Sequence, residues 1–145
     1  MSVIRYRRVD PRGKVPRYAH DGDGGCDLYS IQSYLLEPLQ RATIRTGIVL
    51  EIPMGFGGLI LPRSGLASKF GVTLSNSPGL IDSGYRGELM VALINLDPKN
   101  SFAIEEGMRI AQLVIVEVSQ FIFEEVEELE GTDRDRGGFG SSGLG

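Results

Sequence analysis

The sequence contains no tryptophan, one cysteine and one histidine among its 145 residues. The single cysteine, Cys26, cannot form a disulfide within the chain, which favours a reducing compartment, and we expect a cytoplasmic protein. Any Ser–His or Cys–His catalytic pair would have to use His20, so we set that chemistry aside. The sequence patterns of a nucleotide-binding P-loop, an HExxH zinc site and a cysteine cluster are also missing.

Long apolar runs are lacking too. The run from Ile110 to Val116 is interrupted by Gln112 and is too short to span a bilayer, and the first residues show no signal-peptide pattern. The formal net charge of −4 argues against a general nucleic-acid-binding protein, which needs a basic face. We therefore expect neither a membrane nor a nucleic-acid partner, although a few arginines in one cleft could still bind a small anion.

Glycine is abundant, with 20 residues, about twice the usual share. Short alternating or β-branched segments are separated by Gly/Pro turns, a pattern that predicts an all-β sandwich or barrel. The pattern predicts one helix from Ser64 to Phe70, capped by Ser64 and ended by Gly71. The predicted strands cover residues 3–9, 43–52, 57–61, 72–74, 88–96, 101–104, 110–118 and 121–126.

The length predicts one domain. We assign residues 1–130 to a single β-rich domain and residues 131–145 to a flexible glycine-rich tail, because the tail composition cannot build a core. The tail matches the letters of a dinucleotide-binding loop, GxGxxG, but no strand precedes it and no helix follows it. Its glycine amides, its serines and Arg136 form a strip suited to an anion, and Phe139 adds one aromatic ring.

One turn could carry catalysis. An apolar run ends at Asp82, and Tyr85 follows in the same glycine-rich turn; turns held between strands often carry functional residues. Asp82 is able to accept a proton from water as a general base, since an ordinary aspartate is ionised at neutral pH. Tyr85 could stack on a ring. A simple Asx turn with a packed tyrosine explains the same pattern equally well.

Three other segments suggest binding. Arg63 and Ser64 stand where a strand meets a helix, an arrangement suited to phosphate, although a surface arginine beside a capping serine is common. Gln112 interrupts an apolar strand, and a core glutamine bonded to backbone is the simpler interpretation. The segment from residue 21 to 28 imitates a calcium loop, but Gln32 replaces the required glutamate, which favours a tight turn into a strand near Asp27.

Together, five segments resemble in order the five motifs of the trimeric all-β dUTPases. They read GDGGCDL, PRSGLA, NSPGLIDSGYRGE, RIAQLV and RGGFGSSG, and they span residues 22–143. The resemblance implies a distorted jelly-roll-like β-barrel or sandwich and a homotrimer with shared active sites. It also implies hydrolysis of dUTP to dUMP and diphosphate with Mg²⁺ on the triphosphate, which limits uracil in DNA and supplies dUMP for dTMP synthesis.

The resemblance further implies roles for individual residues. Asp82 would activate water for attack on the α-phosphorus, Tyr85 would pack under the deoxyribose and exclude a ribose 2′-hydroxyl, and Asp27 would reach the metal through water. The residues matched to the uracil side are Asn76, Leu80, Ile81 and Met90. Those matched to the phosphate side are Arg63, Ser64, Gly65 and Gln112. Those matched to a tail that closes over the site are Arg136, Phe139, Gly140, Ser141 and Ser142.

Two alternatives remain. The dCTP deaminases share this fold and turn, and in that family a glutamate on the following strand drives deamination. The corresponding residue here is Ala92, which disfavours a deaminase or a bifunctional enzyme. A non-catalytic nucleotide-binding module is the other alternative, and the presence of Asp82 and of the tail argues against it.

Overall fold

A computed structural model describes residues 2–145 of the chain. Within this range eleven strands and one seven-residue helix form, which confirms the all-β class. In chain order they are β1 (Arg5–Arg8), β2 (Cys26–Tyr29), β3 (Tyr34–Leu36), β4 (Arg41–Arg45), β5 (Ile48–Glu51), β6 (Phe56–Leu61), α1 (Ser64–Phe70), β7 (Val72–Leu74), β8 (Gly79–Ile81), β9 (Met90–Asn95), β10 (Phe102–Ile104) and β11 (Arg109–Glu117).

The strands form four antiparallel sheets. The two larger ones have the orders β2-β11-β6-β8 and β4-β9-β7, and the two smaller ones pair β1 with β5 and β10 with β3. Every strand pair is antiparallel. The described strands stay open rather than closing into a barrel, so the sandwich half of the prediction fits better.

Side chains from both larger sheets meet in one apolar core. Leu28 and Leu113 come from the first sheet and Val91 and Leu93 from the second, and none of them is more than 2% exposed. Burying a leucine or valine side chain contributes about 1.5–3 kcal/mol, so this shared core holds the sheets together. No helix within residues 2–145 is long and apolar enough to cross a membrane.

The helix prediction is confirmed in its bounds and wrong in its cap. Helix α1 spans Ser64–Phe70 and ends at Gly71, whose φ of 70° is the left-handed conformation expected there. The N-cap is Arg63, which has extended backbone angles and makes no side-chain capping hydrogen bond. Ser64 is therefore already helical and cannot act as the cap.

The predicted strand over residues 43–52 is two strands. The chain leaves β4 and enters β5 of another sheet at Gly47, whose φ is 71°. The Val9 amide donates to the Gly47 carbonyl over 2.9 Å, and a methyl group at position 47 would lie 3.1 Å from the Gly13 Cα. The β-branched residues on both sides of Gly47 favoured one continuous strand. The glycine is the sequence signal for the change of sheet.

The predicted strand over residues 121–126 is wrong. Strand β11 ends at Glu117, and residues 118–130 form neither strand nor helix. Phe121, Ile122 and Phe123 are 78%, 98% and 95% exposed. A strand needs a partner edge, and these residues find none within the described part of the chain. Strands β3 and β8, of three residues each, were not predicted as strands.

We expect Gly47→Ala to lower the free energy of unfolding by about 1–3 kcal/mol, because alanine is strained at positive φ. Denaturant unfolding at fixed protein concentration measures this change. Gly131→Ala is the matched control, since nothing lies within 4 Å of a methyl group there. Equal stability of the two variants would contradict the role of Gly47 at the corner.

Candidate functional site

Strand β11 gathers residues predicted for the phosphate and metal side. Gln112 lies opposite Asp27 of β2 on one side and opposite Leu61 of β6 on the other. Its Nε2 donates to the Pro62 carbonyl over 3.1 Å. A Cβ at Gly25 would lie 2.8 Å from the Gln112 Oε1, so a larger residue there would displace the Gln112 amide. Gln112 is thus half-buried and bonded to backbone, as the simpler interpretation predicted.

Two arginines flank the Asp27 carboxylate. Arg63 Nε lies 3.8 Å from its Oδ1 and Arg109 Nη1 lies 3.7 Å from its Oδ2. Asp27 is only 16% exposed, whereas Arg63 and Arg109 are 31% and 52% exposed. Two guanidinium groups around one carboxylate leave a net positive charge, which suits an anion such as phosphate.

Sequence reasoning missed Arg109 as a site residue. It appeared only as the first letter of the RIAQLV motif, without a role. Its position next to Asp27 depends on the pairing of β11 with β2, which joins segments about 80 residues apart in the chain. The signal that could have found it is its place three residues before Gln112, at the start of the same strand.

Ser64 and Gly65 lie in the first turn of α1, directly after Arg63. Both are exposed, and a methyl group at Gly65 would meet nothing within 4 Å. The structure therefore places these two predicted residues beside the arginine. Within the single chain, no steric reason requires a glycine at position 65.

Asp82 lies in an exposed turn immediately after β8. The turn is closed by its backbone, because the Tyr85 amide donates to the Asp82 carbonyl over 3.1 Å. Among the described residues no hydrogen bond involves the Asp82 carboxylate, so an Asx turn does not form.

The Tyr85 ring is held in place. Its hydroxyl donates to the Glu88 carbonyl over 2.9 Å, and a Cβ at Gly87 would lie 2.8 Å from its Cε1. The ring therefore passes over backbone that only glycine leaves clear. It remains 42% exposed, which leaves one part of the tyrosine open to a ligand.

Three of the four residues predicted for the uracil side lie on or beside an edge strand, β8, whereas Met90 begins β9 in another sheet. Strand β8 pairs only with β6 in its sheet, so its other edge can offer backbone N–H and C=O groups. Asn76 lies beside its start, since a Cβ at Gly79 would be 3.2 Å from the Asn76 Nδ2. Leu80 and Met90 are 61% and 38% exposed, whereas Ile81 packs against the core.

One chain does not bring its two groups of residues together. Strands β6 and β8 are antiparallel and Ile81 pairs with Gly58, so Asp82 lies near the start of β6. Arg63 follows the opposite end of β6. The four residue steps from Gly57 to Leu61 already span about 13 Å. The Asp82 turn therefore lies at one end of β6. The group of Asp27, Arg63, Arg109 and Gln112, which we call the Arg63–Gln112 cluster, lies at the other end.

The tail forms a third, separate group. The hydrogen bonds of residues 132–143 are local, such as the 3.0 Å bond from the Ser141 amide to the Gly138 carbonyl. The predicted tail residues Arg136, Phe139, Gly140, Ser141 and Ser142 are all exposed, and the Phe139 ring has no cover.

The described residues build no protein cage for a metal ion. Within residues 2–145, no group of three or more His, Cys, Asp or Glu side chains is placed to hold one. Asp27 is a lone carboxylate between two cations. This donor set fits a metal that arrives bound to an anion and that touches the protein indirectly.

Comparison with known sequences gives the family. The dUTPase family model matches residues 12–143, which is most of the chain. The chain belongs to the dUTPase family. A deoxyuridine 5′-triphosphate nucleotidohydrolase of Rhodococcus erythropolis is 52% identical over 140 residues, covering 97% of this chain and 85% of that protein. The same-named protein of Thermobifida fusca is 49% identical, covering 97% of this chain and 78% of the relative.

Solved dUTPase structures have the same fold. The dUTPase of Staphylococcus bacteriophage 80alpha with dUPNHPP superimposes with a TM-score of 0.94 at 30% identity, covering 99% of this chain and 100% of that one. A mutant dUTPase from phage phi11 of S. aureus, described with a structural Mg(II) ion, gives a TM-score of 0.82 at 28% identity. It covers 88% of this chain and 98% of that one. The predicted jelly-roll-like fold is thereby confirmed.

For this dUTPase we expect Gly25→Ala to lower kcat/KM for dUTP by about tenfold, because the methyl group displaces Gln112 and small misplacements are costly. Steady-state diphosphate release measures the effect. Gly24→Ala is the matched control, since a methyl group there meets nothing within 4 Å. If the two variants are equally active, the contact between Gly25 and Gln112 has no part in activity.

Proposed function

We propose that this chain hydrolyses dUTP to dUMP and diphosphate, and that Asp82 activates the attacking water. The observation that carries the proposal is the exposed Asp82 carboxylate, without a hydrogen bond, in the turn that also fixes Tyr85. Membership of the dUTPase family supplies the reaction class. The physiological consequence would be less uracil in DNA and a supply of dUMP for dTMP synthesis.

The chemistry follows from charge and position. As the water oxygen bonds to the α-phosphorus, Asp82 takes its proton and the bond to the oxygen that bridges to the β-phosphorus breaks. The diphosphate leaves with the negative charge that develops. Arg63 and Arg109 would neutralise this charge, and Gln112 would hold a phosphate oxygen. Ser64 and Gly65 would add contacts on the same side.

Specificity would come from β8 and Tyr85. The free edge of β8 would pair with the polar edge of uracil, among Asn76, Leu80, Ile81 and Met90. Cytosine has its donors and acceptors reversed, which would leave buried groups unpaired and so be rejected strongly. The Tyr85 ring, fixed over Gly87, would leave no room for a ribose 2′-hydroxyl.

The proposal includes Mg²⁺ as cofactor, bound mainly to the triphosphate. Asp27 would reach its water shell, which agrees with a single carboxylate rather than a cage. The ion would add positive charge at the phosphates. A structural Mg(II) ion is described for the dUTPase of phage phi11, which supports Mg²⁺ binding by a related protein.

We further propose a homotrimer with shared active sites. The Asp82 turn and the Arg63–Gln112 cluster lie at opposite ends of β6, so a neighbouring copy is needed to complete one site. The exposed apolar side chains of Phe121, Ile122 and Phe123 support burial against another copy. Residues 131–145 would then close over the shared site as a flexible tail outside the domain of residues 1–130.

The deaminase alternative fails at Ala92. Its carbonyl accepts the Ser75 amide over 2.9 Å, so it lies one residue from the predicted uracil contact Asn76. A methyl group there cannot transfer a proton. For location we retain the cytoplasm as a proposal, because Cys26 has no partner cysteine in the sequence and so forms no disulfide within the chain.

We expect diphosphate release from dUTP to exceed release from UTP, dCTP or dTTP, and to depend on Mg²⁺. Asp82→Asn should fold and bind dUTP but lose about 10²–10⁴-fold in kcat, the usual contribution of a general base. Near-normal turnover by this variant would refute the role of Asp82. Appreciable ammonia release from dCTP would favour the deaminase instead.

We expect light scattering to give a trimer, and truncation after Glu130 to leave its melting temperature nearly unchanged. Catalysis should fall far more, because the tail would no longer exclude water from the site. Phe139→Ala in the full chain tests the ring alone. A monomer, or a parallel loss of stability and activity, would mean that the shared site or the closing tail has been assigned wrongly.

A further inference from the structure

The peptide group between Glu88 and Leu89 anchors the Tyr85 ring. Its carbonyl accepts the Tyr85 hydroxyl over 2.9 Å, and its N–H donates to the Ile48 carbonyl of β5 over 2.8 Å. Because a peptide group is planar, these two hydrogen bonds are made by one rigid unit. The orientation of the peptide plane therefore sets the position of the tyrosine hydroxyl.

Arg45 binds the side chain of Glu88, whose carbonyl belongs to this peptide group. Its Nε and Nη2 donate to the two carboxylate oxygens of Glu88 over 3.0 and 2.9 Å, a bidentate pair. The Glu88 side chain is only 16% exposed, so the pair is partly shielded from water. A planar bidentate pair restricts orientation as well as distance, which a single contact does not.

Further charges and backbone bonds hold Arg45 itself. The Arg45 amide donates to Gln32 Oε1 over 2.7 Å, and Asp10 Oδ2 lies 3.9 Å from Arg45 Nη2. The Arg12 side chain in turn donates two hydrogen bonds to the Asp10 carboxylate, over 3.0 and 2.9 Å. These bonds and the hydrogen bond from the Arg12 amide hold the pKa of Asp10 well below its usual range. Hydrogen bonding to Glu88 raises the pKa of Arg45.

We propose that Arg45 is a positioning residue for sugar discrimination: by fixing Glu88 it fixes the peptide that anchors Tyr85. Arg45 touches neither Asp82 nor the predicted phosphate residues. It pairs across the sheet with Met90 of β9, a predicted uracil residue, but dUTP and UTP carry the same base, so its effect on sugar choice runs through Glu88. The inference rests on the proposed function, because it takes Tyr85 as the residue that excludes a ribose 2′-hydroxyl. It assigns specificity to Arg45 of β4, which lies outside the five sequence motifs and acts on Glu88, the last residue of the third motif.

The experiment compares kcat/KM for dUTP with kcat/KM for UTP in the full-length protein. Arg45→Met should lower this ratio by about tenfold, the scale of a steric contact in a binding pocket. Arg45→Lys keeps the charge but not the fork, and should lower it by less. Arg41→Met is the matched control, because Arg41 is exposed on the same strand, and its ratio should stay unchanged.

Two further variants keep the outcomes distinct. If Arg45→Met does not fold, Glu88→Gln replaces it as an isosteric test, with the same expected fall in the ratio. An unchanged ratio in the folded variant overturns the inference. If Tyr85→Ala lowers the ratio while the Arg45 and Glu88 variants do not, the role of Arg45 alone is wrong. If Tyr85→Ala also leaves it unchanged, the proposed sugar role of Tyr85 falls as well.

Discussion

Strand β11 is hydrogen-bonded to β2 on one side and to β6 on the other, and this double pairing determines which polar side chains meet. In its register Gln112 lies between Asp27 and Leu61. A slip of one residue would turn Gln112 and every neighbour to the opposite face of the sheet. The burial of Ala111 and Leu113 on either side of Gln112 prevents this slip, because both would lose their places in the core.

Glycine gives the site its clearance in two unrelated places. Gly25 leaves room for the Gln112 amide, and Gly87 leaves room for the Tyr85 ring. In both cases the side chain that uses the space is also hydrogen-bonded to backbone, Gln112 to Pro62 and Tyr85 to Glu88. The space left by the glycine and the hydrogen bond to backbone together fix the position of each side chain, Gln112 and Tyr85, more firmly than one interaction would.

The polar residues of one chain form separate groups, and different interactions hold each group in place. Asp27, Arg63 and Gln112 depend on strand register, whereas Tyr85 depends on a peptide group that β5 and Arg45 hold from outside the turn. In the proposed trimer, a neighbouring copy would bridge the separation of the groups along β6. The apolar residues 121–123 are exposed beyond the last strand.

Local signals in the sequence were sufficient for several features. Helix α1 was found because a strand end, helix-compatible residues and Gly71 follow one another directly. The resemblance of the five motifs assigned Arg63 and Gln112 to the phosphate side and Asp27 to the metal, and the structure brings the three together. Gly47 as a corner was missed because β-branched residues on both sides favoured one continuous strand.

The sequence by itself determined the all-β class, the helix and the residue types available for chemistry, since these follow from local periodicity and turn residues. Only the tertiary structure decided that Gln112 bonds to Pro62, that Arg109 faces Asp27 and that Arg45 grips Glu88. Each of these contacts joins residues more than 40 positions apart. Such pairs are set by sheet register and shared burial, which no local pattern of residues specifies.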